Sequence, residues 1–268
     1  MQRLGIIGYL GVIANFTGKT LTIAELEARK LHHDFTELLT RAVQPALWLL
    51  IFGEVLAQVR AIPTGNLPYI DFMTPGILAQ SVLFIAIFYG IAIIWERDLG
   101  IVHKFLATPT PRSALVLGKA LSAGERGLAQ AVIVYALALA LGVHLSWNII
   151  SLLAVVVVII LGSALFSTFS LIIACLVKTR ERFMGIGQIL TMPLFFASNA
   201  IYPISIMPSW LRTISQVNPL TYETDALRAL MLSKGPTVYG VPFDLLFLLV
   251  ATAINVAIAA KLYPRVVI

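Results

Sequence analysis

Residues 149–177 read I-I-S-L-L-A-V-V-V-V-I-I-L-G-S-A-L-F-S-T-F-S-L-I-I-A-C-L-V, 29 positions without a charge. Hydrocarbon offers a backbone no water to bond, so such a run crosses a bilayer only as a helix or within a closed barrel. Its apolar residues do not alternate, and it is far longer than the ~10 residues of a barrel strand, which selects a helix. At 1.5 Å per residue the helix is ~43 Å long against a ~30 Å hydrocarbon core, so it tilts or projects beyond it.

The whole chain has the same character. Of 268 residues, 59% are hydrophobic and 12% charged, with a mean hydropathy of +0.92. Soluble domains carry roughly 25% charged residues. The fold class expected is therefore an all-α integral membrane protein. In that class a net charge of +6 reports which loops face the cytoplasm and is not a nucleic-acid signal. Cys175, the single cysteine, lies inside the apolar run and reads as a packing residue.

Working outward, five more apolar runs give six predicted transmembrane helices, at 42–60, 72–95, 121–145, 149–177, 183–200 and 243–262. Gln44-Pro45 stands near the start of the first, where a missing N–H costs little. The fifth is weaker and broken by Pro193. Residues 201–239, with Pro203, Pro208, Pro219 and Pro236, are too apolar for a loop and too interrupted for a span. Short re-entrant helices before the last span are expected there.

Ahead of the first span, Leu4–Ala14 is too short to cross and lacks a convincing cleavage site, which makes it an interfacial segment. From 20 to 40 an amphipathic interfacial helix is predicted. Thr22 and Glu25 fit a capping box, and Leu21, Ala24, Ala28, Leu31, Phe35 and Leu38 fall on one face. With the N-terminus inside, 15 of the 19 Lys and Arg fall on inner segments, leaving Arg60, Arg212, Arg228 and Lys234 outside. Both termini are thus expected to be cytoplasmic. No inverted repeat and no linker divides the chain, so 1–268 reads as a single membrane domain.

Catalytic chemistry has no apparatus in this sequence. Gly18-Lys19-Thr20 ends like a phosphate-binding loop, but Ile13 stands where that loop needs glycine. No Gly-x-Ser-x-Gly, His-Glu-x-x-His or paired-cysteine pattern occurs, and adjacent His32 and His33 would point in different directions on a helix. The expectation is no metal, no cofactor and no ATP site in this chain, so that any energy enters from another subunit. Glu54, inside the first span, marks either a substrate pathway or a side chain reaching the outer interface. Asn255 in the last span reads as a helix–helix hydrogen-bonding residue or a weaker pathway contact.

Between spans two and three lies 96–119. Glu96-Arg97-Asp98 opens it, Leu99, Val102 and Leu106 form a stripe flanked by Ile101 and Phe105, and Thr108-Pro109-Thr110-Pro111 closes it. The pattern predicts a short helix on the membrane surface, and spacing alone describes a docking helix and a plain connector equally well.

Three stretches together resemble the permeases of the ABC-2 type transporter family, in its daunorubicin and multidrug-resistance branch, over residues 25–265. The first is Gln44-Pro45, Leu47-Trp48-Leu49-Leu50 and Phe52-Gly53. The second is Pro75-Gly76-Ile77-Leu78, Glu96-Arg97-Asp98-Leu99-Gly100, Thr108-Pro109, Arg112 and Leu117-Gly118-Lys119. The third is Ser198–Pro203, Met207-Pro208-Ser209-Trp210, Asn218-Pro219-Leu220-Thr221-Tyr222 and Ala226-Leu227-Arg228.

The resemblance implies a dimer of permeases, here a homodimer, on two ABC ATP-binding subunits that hold the ATP and Mg. It implies a cell-membrane exporter of an amphiphilic drug-like or lipid-like substrate. The loop 96–119 would then be a cytoplasmic coupling helix, with Glu96, Arg97, Asp98, Gly100, His103 and Lys104 as the ATPase-coupling residues, joined by Arg29 and Lys30 of the interfacial helix. The family loop commonly opens Asp-Arg-Glu; here the two carboxylates are exchanged. Two other readings stand beside this one. One is a membrane subunit that docks an ATPase without transporting, and the other an ion-coupled carrier using Glu54.

Overall fold

A computed structural model of the chain describes residues 16–25, 35–59, 62–65, 67–108, 110–177 and 179–264. Among them every regular element is a helix. Residues 16–25 form α1. Then come α2 (Phe35–Leu47), a π-helical turn (Trp48–Gly53), α3 (Glu54–Val59), α4 (Tyr69–Tyr89), α5 (Ile91–Asp98), α6 (Ile101–Leu106), α7 (Arg112–Ala140), α8 (Ile149–Leu176) and α9 (Arg180–Phe196). A 3-10 turn (Ile204–Ile206), α10 (Ser209–Val217), α11 (Pro219–Met231) and α12 (Val241–Leu262) complete the chain.

The bundle is built around α4. Almost every side chain from Phe72 to Ile87 is buried, which a helix achieves only when enclosed on all sides. It packs against α7 and α8, the π-turn, α9 and α11. At its far end α4 continues into α5 across Gly90. A Cβ at Gly90 would fall 2.0 Å from Ser170 Oγ, and that hydroxyl donates to the Ile87 carbonyl. A side chain inserted at this point of the backbone ladder accounts for the joint between the two helices.

Four helices among the described residues are long and apolar enough to cross a membrane: Ala42–Val59, Tyr69–Asp98, Ile149–Leu176 and Val241–Leu262. These make the chain a multi-pass membrane protein. Apolar side chains left uncovered on two of them, such as Phe52 and Val55, or Leu249 and Ile254, suit lipid or another apolar partner. Helix α7, with 29 residues, is long enough but carries Arg112, Lys119, Glu125 and Arg126 along its first half. Helix α9 has 17 residues.

Several boundaries differ from the sequence expectation. Thr22 is no cap: it lies within α1, and its hydroxyl donates to Gly18 O at 2.9 Å. Most of the rest of the predicted interfacial helix, including Arg29 and Lys30, lies outside the described residues. Pro45 falls inside α2, not at a start, and the π-turn follows within three residues. Proline removes one ladder hydrogen bond, and a wider turn is one way for a helix to absorb that. The sequence predicts the third span at 121–145, but α7 begins at Arg112 and ends at Ala140, and Gly142 turns the chain at φ 73°. The fifth helix ends at Phe196, four residues early, with Ala197 as its C-cap. By contrast α8 stops and starts within one residue of its apolar run, capped where Asn148 Oδ1 accepts from Ile150 N at 3.0 Å.

Candidate coupling site at the α5–α6 turn

The charged tripeptide Glu96-Arg97-Asp98 closes α5, and its three side chains take different surroundings. Glu96 turns inward. Its Oε2 accepts from Lys119 Nζ of α7 at 2.7 Å, and the two side chains are only 7% and 5% exposed. Asp98 turns outward and is held from two directions. Arg97 reaches Oδ1 at 3.0 Å, while Arg180, at the start of α9, reaches Oδ2 at 2.9 Å. The Arg180 guanidinium also lies 4.0 Å from the centre of the Trp95 ring. Residues from α5, α7 and α9 are thereby joined at one end of α4.

Gly100 makes the next turn possible. At φ 70° it occupies the left-handed region, which costs a side-chain-bearing residue ~1–2 kcal/mol. Leu99 N and Gly100 N satisfy the last carbonyls of α5 by bonding Trp95 O and Arg97 O, both at 2.9 Å. The chain then enters α6 in a new direction. Val102 anchors that short helix in a cluster with Ile93, Leu115, Val116 and Leu171, against which Ile23 of α1 and Phe105 pack. Thr108 Oγ1 closes the helix by donating to Phe105 O at 2.7 Å. What remains outside is an exposed tip of Trp95, Leu99, His103 and Lys104. A buried side chain, an ion pair and a positive-φ turn pin this short helix to the bundle. Its tip offers apolar and cationic groups together.

The structure thus brings Arg97, Asp98, Gly100, His103 and Lys104 to one turn, and places Glu96 beneath it. Arg29 and Lys30 lie outside the described residues. Glu54 is half-buried in α3, and no hydrogen bond or ion pair joins its carboxylate to a described residue. Asn255 Nδ2 lies 3.4 Å from Leu165 O, joining α12 to α8, and lines an apolar cavity of about 380 Å³ with Phe166, Leu194 and Phe247. Sequence reasoning did not assign roles to Lys119 or Arg180. Lys119 carried one signal, a cation about two turns into α7 with only apolar and small residues for six positions before it.

At the other end of α4 lies a second group that spacing did not expose. Arg228, Asp225 and Glu223 of α11 are buried, as are Asn199 and Asp244. Asp225 accepts from Thr237 Oγ1 at 2.8 Å and from Val238 N and Tyr239 N at 2.8 and 3.0 Å, closing the loop ahead of α12. Arg228 donates to Phe72 O and Asn199 O.

The described helices form an apolar bundle with a charged turn at one end. The chain belongs to the ABC-2 type transporter family, whose profile matches residues 19–232. It is 30% identical over 198 residues to ycf38 of Cyanophora paradoxa, named as a transport permease, covering 72% of this chain and 67% of that one. The daunorubicin resistance ABC transporter permease protein DrrB1 of Streptomyces coeruleorubidus is 24% identical over 218 residues, 81% of this chain and 76% of its own. The inner membrane transport permease YadH of Escherichia coli K12 is 23% identical over 188 residues, 68% and 70% of the two chains. The chain spans about two thirds of the length of the ycf38 relatives it matches. It is a transport permease subunit, and the family implies partnership with an ATP-binding subunit.

Proposed function

We propose that this permease works in an ATP-driven exporter, and that the α5–α6 turn is where a separate ATP-binding subunit moves it. The carrying observation is the divided tripeptide. Asp98 and Arg97 face outward at the tip, while Glu96 is tied by Lys119 to α7. A push on the tip reaches three helices without first being lost in side-chain motion. The ATP and its Mg stay in the partner, and this chain contributes no catalytic group.

The working assembly is two copies of this permease on two ATP-binding subunits. Each copy crosses the membrane six times, with α7 and α9 added to the four strongly apolar helices, and with both termini and the α5–α6 turn in the cytoplasm. Twenty-nine residues in α7 are ample for a ~30 Å core, and its charges sit toward the α5 end. Helices α10 and α11 enter from the opposite side without crossing. The substrate is an amphiphilic drug-like or lipid-like molecule, a reading supported by the DrrB1 relative and by the largely apolar cavities between helices.

Reconstitution with the cognate ATP-binding subunit tests this. Proteoliposomes loaded with a fluorescent amphiphile such as daunorubicin should show ATP-dependent movement that Arg97→Glu abolishes. ATP hydrolysis by the assembled complex with no movement of any amphiphile would favour a docking subunit instead. Movement that follows a proton gradient without the ATP-binding subunit would favour an ion-coupled carrier.

A further inference from the structure

At the α11 end of α4 a cavity of about 510 Å³ is lined by Thr64, Phe72, Asn199, Arg212, Asp225 and Arg228, among others. Arg228 is 2% exposed. It spends its bonds on two neutral carbonyls, Phe72 O at 3.3 Å and Asn199 O at 2.7 Å, and its guanidinium lies 3.9 Å from the centre of the Phe72 ring. No carboxylate among the described residues lies within ion-pair distance of it. Burial pulls its pKa down to about 10, with nearby Asp225 opposing, so it remains a cation at neutral pH. A buried charge with no carboxylate in contact with it is costly to keep.

Beside it, Asn199 is 1% exposed, and both its side-chain atoms, Oδ1 and Nδ2, lack partners. Buried amides are rarely left so, because each missing bond leaves a desolvated polar atom uncompensated. Arg212 adds a second guanidinium to the lining, holding Ser205 O and Met207 O at 3.2 and 3.3 Å. The opposing charge is Asp225, whose Oδ2 accepts from Thr237 Oγ1, Val238 N and Tyr239 N, and whose Oδ1 accepts from Val238 N at 3.1 Å. The lining therefore carries a surplus positive charge and an unused amide, beside the ring of Phe72.

We propose that this cavity binds an anionic oxyacid group, a phosphate or phosphate ester, between Arg228, Arg212 and the Asn199 amide. A phospholipid headgroup and free phosphate share that chemistry. The group supplies the direct ion-pair partner that Asp225 is too distant to be for Arg228, and accepts from Asn199 Nδ2. The site stands on its own lining and does not depend on how the α5–α6 turn works.

The test uses the purified full-length permease alone, in a neutral detergent. Phosphatidylglycerol is added, with phosphatidylcholine as the control, and bound lipid is counted by native mass spectrometry. Two variants place a carboxylate in the cavity. Asn199→Asp sets one beside Arg228, and Ser205→Glu sets one at an exposed lining position where folding is not at risk. Phosphatidylglycerol should bind in preference to phosphatidylcholine, and Ser205→Glu should weaken it about tenfold, or ~1.4 kcal/mol. Asn199→Asp should do the same and raise the thermal midpoint by neutralising Arg228. Inorganic phosphate is the second arm: displacement of the lipid assigns the site to the free anion, and retention assigns it to the headgroup. Equal retention of phosphatidylglycerol by wild type and Ser205→Glu, with no effect of phosphate on either, overturns the proposal.

Discussion

Lys119 Nζ stands 2.7 Å from Glu96 Oε2, inside the protein, and ties the last turn of α5 to α7 across 23 residues of sequence. Burying two ions is costly, and their attraction recovers that cost only when both are present. Removing one leaves the other buried without this ion pair. Lys119→Met should therefore destabilise the permease by about 3–5 kcal/mol, while Glu96→Leu with Lys119→Met should recover most of the loss. Thermal unfolding in detergent reads both. The double variant should still couple poorly, since the restored packing is not a directional tie.

Asp98 predicts the opposite division of effects. It is exposed, so its contacts with Arg97 and Arg180 hold geometry more than they hold the fold. Asp98→Asn should leave the thermal midpoint within error of wild type. The rate of amphiphile movement per ATP hydrolysed should fall severalfold, and Arg180→Gln should reproduce that fall because it removes the same link to α9.

Gly100 is a backbone requirement. At φ 70° a β-branched residue is worse placed than an unbranched one. Gly100→Val should cost more than Gly100→Ala, itself about 1–2 kcal/mol, and Gly100→Asn should be the mildest of the three. Limited proteolysis between Leu99 and Lys104 should rise in the same order.

Glu223 of α11 is buried, with both carboxyl oxygens unpartnered, and burial pushes its pKa well above the usual carboxylate range. A raised carboxyl pKa means that the folded protein keeps a proton the unfolded chain has released. Its contribution is intact below the unfolded pKa of about 4.3, and stability falls as pH rises from there toward the folded value. Glu223→Gln should flatten that part of the stability–pH curve and leave the neutral-pH midpoint equal or higher.

The apolar runs were legible because a membrane span is written continuously in sequence. Ile149–Leu176 and Val241–Leu262 needed no partner to be found. Thr22 misled because a hydroxyl can accept at a helix start or bond back to the preceding turn, and only the surrounding structure selects one. Pro45 misled for a related reason: the helix carried on past it through a π-turn. The turn at 96–100 was recognisable from its residues, yet the inward aim of Glu96 depends on Lys119, 23 positions away. Arg228 and Asn199, 29 apart, meet only once α11 folds back onto α4.

The α5–α6 turn as the contact with the ATP-binding subunit is the central claim, and a cross-link tests it most directly. Cys175 is buried, so Cys175→Ser gives a clean background for one cysteine at the exposed tip, Leu99→Cys. Co-purified with its ATP-binding subunit and treated with a short bifunctional maleimide, Leu99→Cys should join the two subunits and stop ATP-driven movement. A cysteine at exposed Val238, beyond the opposite end of α4, should join nothing and leave movement intact. Contradiction would be an assembled, active complex in which Leu99→Cys is modified by the reagent yet never joined to the ATP-binding subunit.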